Sequence, residues 1–136
     1  MDLPLPALQI IQQRLPLLLA LYHFGSTAPR SKSIPGSESD VDLAVLDQNP
    51  IPAQALFDLK LELEQILRRS VDLVDLRRAD SVITHQILET GSLILNLFPK
   101  GVALFETTAM AKYCSLNEER RDILEDIKKW GSVYGR

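Results

Sequence analysis

The sequence predicts an α/β (α+β) fold, a small mixed β-sheet flanked by helices, and three observations carry that prediction. Apolar runs at 17–24 and 41–46, and the alternating VDLVDL at 71–76, have strand length and strand pattern. Between the second and third, Leu56, Leu59, Leu63, Ile66 and Leu67 recur at helical spacing, with Asp58, Lys60, Glu62, Glu64 and Arg68 outside. The order α-β-β-α-β-α, closing on a helix, fits a sheet covered by helices.

Each element follows from local chemistry. Residues 6–15 form a short helix ending before Pro16, with Leu8, Ile11 and Leu15 on one face. LLLALYHF (17–24) is a buried strand running into Gly25, and the Ser-, Pro- and Gly-rich stretch 26–39 is loop. VDLAVL (41–46) is the next strand, the helix spans 53–69, and 71–76 is the third strand. SVITHQILET (81–90) is a short helix stopped at Gly91. SLILNLFPKGVALFE (92–106) fits either a hairpin turning at Pro99-Lys100-Gly101 or a helix followed by one strand. Ser115, with Glu118 three residues on, reads as a capping box opening a last helix. Ile123, Ile127 and Trp130 mark its inner face, and Gly131 stops it.

At 136 residues the chain is expected to be one domain, 1–136, large enough to bury a core without staples. Its one cysteine, Cys114, allows no internal disulfide and no all-cysteine metal site, and reads as a small core residue. The start MDLPLPALQI lacks the basic region of a signal peptide. The longest apolar run, LPLLLALY, is too short to span a bilayer. The expectation is a cytoplasmic protein with no membrane partner. A net charge of −3 and a pI near 5.3 remove the electrostatic footprint of a nucleic-acid binder, but leave room for a nucleotide held by local cations or a metal.

The stretch GSTAPRSKSIPGSESDVDLAVL places two aspartates at the head of an apolar strand. Positions i and i+2 of a strand share a face, so Asp40 and Asp42 point the same way with Cα atoms about 6.5–7 Å apart. Two such carboxylates repel each other unless positive charge lies between them. A pair of Mg²⁺ ions about 3.5–4 Å apart, as in two-metal phosphoryl-transfer sites, resolves the conflict. VDLVDL supplies a third carboxylate, Asp72 or Asp75, which alternation places on opposite faces. Gly25 lets the backbone approach a phosphate, the Ser26 hydroxyl donates to phosphate oxygens, and Arg30 and Lys32 are placed to meet the distal phosphates of a triphosphate. His23 and His85 read as packed, hydrogen-bonded side chains rather than ligands. Arg77 and Arg78 read first as a solvated strand end and second as a clamp for ATP or an acidic surface.

Gly25-Ser26, a spacer, then Ser39-Asp40-Val41-Asp42 resembles the Gly-Ser…Asp-x-Asp signature of nucleotidyltransferases in the DNA polymerase β superfamily. The small size, VDLVDLRRAD and the tail LNEERRDILEDIKKWGSVYG are similar to the minimal nucleotidyltransferase (MNT) antitoxins of HEPN/MNT toxin–antitoxin systems, from about residue 8 to the end. The resemblance implies a polymerase β-like nucleotidyltransferase fold and a protein adenylyltransferase. Such an enzyme transfers AMP from ATP to a tyrosine of its cognate HEPN ribonuclease toxin, with Mg²⁺, releasing pyrophosphate and neutralising the toxin. Carried over, Gly25 and Ser26 match the phosphate-holding pair, and Asp40, Asp42 and Asp72 match the catalytic metal ligands; Arg30 and Ser39 are further expected nucleotide contacts. The family spacer is usually ten residues, whereas 27–39 here are thirteen, and Ala28-Pro29-Arg30 replaces the family's Ala-Arg-Gly. That departure motivates an alternative, a binding-only antitoxin with a vestigial nucleotide site that inhibits by surface contact. A small-molecule nucleotidyltransferase is a weaker reading, since the chain has no room for an acceptor domain.

Overall fold

The computed structural model describes residues 2–25, 27, 28 and 40–133, with side chains to residue 127. Eight elements follow in order: α1 (Leu5–Arg14), β1 (Leu18–Phe24), β2 (Val41–Asp47), α2 (Ala53–Leu67), β3 (Val71–Asp75), α3 (Ser81–Thr90), β4 (Ser92–Asn96) and α4 (Pro99–Val133). The strands form one mixed sheet in the order β3-β2-β1-β4. β1 pairs antiparallel with β2 and β4, and β2 pairs parallel with β3. The expected fold class is the one observed.

Alternation along the strands sorts the core onto two faces. Leu21, Val41, Leu43, Val45, Val71 and Leu73 pack with Ile11, Leu59 and Leu63 under α1 and α2. Ala20, Tyr22, Ala44 and Leu46 pack with Ile87 and Val102 under α3 and α4. Being covered on both faces explains why β1 and β2 read as nearly continuous apolar runs. α2 stops at Arg68, which takes the left-handed conformation at φ 54°. α3 begins at Asp80, whose carboxylate accepts from the Ile83 N–H at 2.8 Å.

The C-terminal third differs from both expectations for 92–106. The strand comes first, as β4, and the helix starts at Pro99, the position where a missing N–H costs nothing. Pro-Lys-Gly opens a helix rather than turning a hairpin, and Gly101 is tolerated in its first turn. The capping box at Ser115 is not used, because α4 runs through it without a break and past Gly131. At about 1.5 Å per residue α4 is about 50 Å long. Only its first half lies on the sheet, so Ile123, Leu124 and Ile127 are exposed rather than inward. Cys114 is exposed too, on the outer side of α4, and is not a core residue. Among the described residues no helix is long and apolar enough to cross a membrane.

Candidate active site

Parallel pairing of β2 with β3 sets Asp42 directly opposite Asp72. Neighbouring strands lie about 4.8 Å apart, and the two residues share one face, so their carboxylates stand side by side. Asp40 lies one residue before β2 and is exposed, at the mouth of the same strand end. The Val41 N–H donates to the Ser70 carbonyl at 2.9 Å, which starts the β2–β3 pairing just beyond Asp40.

Gly25 reaches the same corner from β1, whose last residue, Phe24, is opposite Asp42. Its φ of +77° is the left-handed region that favours glycine, and a Cβ there would overlap the Asp42 carboxylate. The backbone at Gly25 is therefore pressed against Asp42. That contact contributes to the burial that pushes the Asp42 carboxyl above its ordinary range, with the charges of Asp72 and then Asp40 adding to it. A turn follows, in which the Ala28 N–H donates to the Gly25 carbonyl at 3.2 Å.

Three carboxylates lie at one end of the β2–β3 pair, and Asp42 feels the charges of both Asp72 and Asp40. Hard oxygen ligands with excess negative charge suit Mg²⁺. Among the described residues no three such groups already converge as a closed metal cluster. The arrangement is an open acidic edge. Ser26, Arg30 and Ser39, the other expected nucleotide contacts, lie outside the described residues.

Asp75 has a different job. It is buried on the opposite sheet face, where Oδ2 accepts from the Ile51 N–H at 2.8 Å and Oδ1 from the Arg77 N–H at 2.9 Å. Its carboxylate also lies 3.5 Å from Arg78 Nε. This fixes the turn after β3 and leaves Asp72 as the carboxylate at the acidic edge. Arg77 and Arg78 sit at the far end of the sheet from Asp42. Arg77 Nε donates to the Asp47 carbonyl at 2.8 Å with its guanidinium over Phe105, and Arg78 donates to the Ile51 carbonyl at 3.3 Å. They hold the strand end and do not face the acidic edge. A groove of about 470 Å³ between α3 and α4, walled by Leu19, Arg77, Phe105 and Lys112, also lies at that far end.

The expected packing of the histidines is observed: His23 is fully buried with Nε2 3.0 Å from Thr27 Oγ1, and His85 is 2.9 Å from Glu89 and stacks on Tyr113. Thr27, buried beside the Gly25 turn, was not singled out by the sequence reading. The available signal was a hydroxyl residue two positions after the glycine, a common turn feature.

The family model described as polymerase beta, nucleotidyltransferase matches residues 8–97, from α1 to the end of β4 and including every residue of the acidic edge. The chain is 30% identical over 120 residues to protein adenylyltransferase MntA of Shewanella oneidensis, covering 88% of this chain and 84% of that protein. It superposes on a structure of the tri-AMPylated Shewanella oneidensis HEPN toxin in complex with MNT antitoxin at TM-score 0.73. That match is 28% identical and covers 90% of this chain and 93% of that one. A toxin–antitoxin crystal structure with AMP-PNP matches at TM-score 0.75 and 29% identity, covering 89% and 94% of the two chains.

Proposed function

The chain belongs to the polymerase beta nucleotidyltransferase family, and from that premise we propose that it is an antitoxin that adenylylates its cognate HEPN ribonuclease toxin. AMP passes from ATP to a tyrosine of the toxin, pyrophosphate leaves, and the modified toxin is silenced. The observation that carries this reading is the Asp42–Asp72 pair, in register beneath a glycine pressed against Asp42. The 30% identity to a protein adenylyltransferase supports a protein as acceptor. Residues 1–136 act as one minimal nucleotidyltransferase domain in the cytoplasm, where ATP is available.

Asp40, Asp42 and Asp72 would hold Mg²⁺, whose charge offsets that of the triphosphate and of the pyrophosphate leaving group. Gly25, with no side chain and a left-handed backbone, leaves the phosphates room to approach the corner. Ser26, Ser39 and Arg30 supply donors to the phosphate oxygens. Asp72, which is exposed, would take the proton of the incoming tyrosine hydroxyl. The tyrosine oxygen bonds to the α-phosphorus, and the bond from that phosphorus to the bridging oxygen breaks in line with it.

The test is incubation with ATP, Mg²⁺ and the cognate HEPN protein, followed by intact-mass measurement of both chains. The toxin is expected to gain whole AMP increments with the wild-type chain and none with Asp42→Asn. A toxin inhibited without any mass gain overturns transfer and leaves inhibition by surface contact.

A further inference from the structure

His23 and Thr27 bracket the Gly25 corner, and both are buried. His23 Nε2 lies 3.0 Å from Thr27 Oγ1, and Thr27 Oγ1 lies 3.5 Å from the Asp40 carbonyl oxygen. A threonine hydroxyl has one proton, and a carbonyl oxygen can only accept. If that proton goes to Asp40, Nε2 must carry its own proton and donate to Oγ1. Nδ1 is then a bare lone pair, and it has no partner among the described residues. The reverse arrangement would put the proton on Nδ1 and leave a buried N–H unpaired, the costlier orphan. Ser92, the cross-strand neighbour of His23 on β4, has a buried hydroxyl that is also without a partner. Burial pushes the His23 imidazole down to about 4, which keeps it neutral at physiological pH.

In the sequence, Thr27 stands thirteen positions before Asp40. The Thr27–Asp40 contact joins the start of β2 to the Gly25 corner directly. Resting on the adenylyltransferase reading above, we propose that His23 and Thr27 are positioning residues, a buried hydrogen-bond relay that holds the Asp40 backbone against the Gly25 corner for AMP transfer.

The experiment compares Thr27→Val, which keeps the shape and removes the hydroxyl, with Thr27→Ser, which keeps the hydroxyl. Both are assayed for AMP transfer to the HEPN partner after thermal unfolding shows them folded at the assay temperature. Thr27→Val is expected to lower kcat by tenfold or more with KM for ATP within threefold, and Thr27→Ser to stay within threefold of wild type. Wild-type kcat in Thr27→Val, or equal losses in both variants, would overturn the proposal. Independently, long-range ¹H–¹⁵N NMR of the wild-type imidazole is expected to find the proton on Nε2, and a proton on Nδ1 would overturn the relay. A wild-type chain that transfers no AMP overturns the functional reading and the catalytic consequence with it, while the tautomer still decides the relay.

Discussion

Replacing Asp42 with asparagine should stabilise the fold while abolishing transfer. The two carboxylates of Asp42 and Asp72 are opposite each other on adjacent strands, about 4.8 Å apart by the strand spacing. At that separation two unit charges repel by about 0.9 kcal/mol in water and about 3.5 kcal/mol at an effective dielectric of 20. Asp72 is exposed, which places the value at the screened end, about 1 kcal/mol. Asparagine has nearly the same shape and no charge, so the variant should melt about 3–5 °C higher at pH 7 without divalent cations. The sign with pH follows from the raised proton affinity of the folded carboxyl: ionising it costs the fold. That cost is absent below the ordinary 3.8 and grows as pH rises above it, so the gain from asparagine should shrink as pH falls toward 3.8. Thermal unfolding by circular dichroism at pH 7 and pH 4 reads both effects. Adding Mg²⁺ should raise the wild-type midpoint and leave that of Asp42→Asn nearly unchanged. A variant that melts lower than wild type at pH 7 would refute the reasoning, because Asp42 would then be a satisfied group rather than a strained one.

Gly25→Ala forces a side chain into a left-handed backbone and into the Asp42 carboxylate, so it should cost 1 kcal/mol or more, at about 1–3 kcal/mol for the backbone alone. It should also lower transfer at least a hundredfold, read by melting and intact mass. Asp75→Ala leaves the Ile51 and Arg77 N–H groups without their acceptor. It should destabilise by about 2–3 kcal/mol in denaturant titration, with activity per folded molecule retained; Asp72→Asn should show the opposite pattern. His23, pushed down from 6.5 to about 4, takes up a proton in the unfolded chain before the folded one does. Stability present above pH 6.5 should therefore be lost as pH falls toward 4, by up to about 3 kcal/mol, and His23→Gln should flatten that slope in urea titrations.

Much of the fold was legible because the signals were local. The apolar spacing of 53–69 matches α2 to within two residues, with Arg68 already in its left-handed cap. The strands at 41–46 and 71–76 coincide with β2 and β3. Alternation along VDLVDL separated Asp72 from Asp75, although it could not reveal that Asp75 is tied to the Ile51 N–H. α4 is not legible as one helix because Pro-Lys-Gly and Ser115-x-x-Glu118 are start and turn signals that a continuous helix also tolerates. Its distal apolar residues face solvent, so the inward face inferred from Ile123 and Ile127 has no sheet beneath it. Asp40 was placed by strand geometry, yet β2 begins at Val41. Its carbonyl oxygen lies 3.5 Å from Thr27 Oγ1, a tertiary contact that spacing alone does not encode.

Diffraction from crystals grown with Mn²⁺ and a non-hydrolysable ATP analogue, recorded for anomalous scattering, probes the acidic edge most directly. The predicted result is metal density coordinated by Asp42 and Asp72, with Asp40 at its rim and the triphosphate lying over Gly25. Metal absent from those carboxylates, or nucleotide bound in the groove beside Arg77 and Lys112 instead, would contradict it.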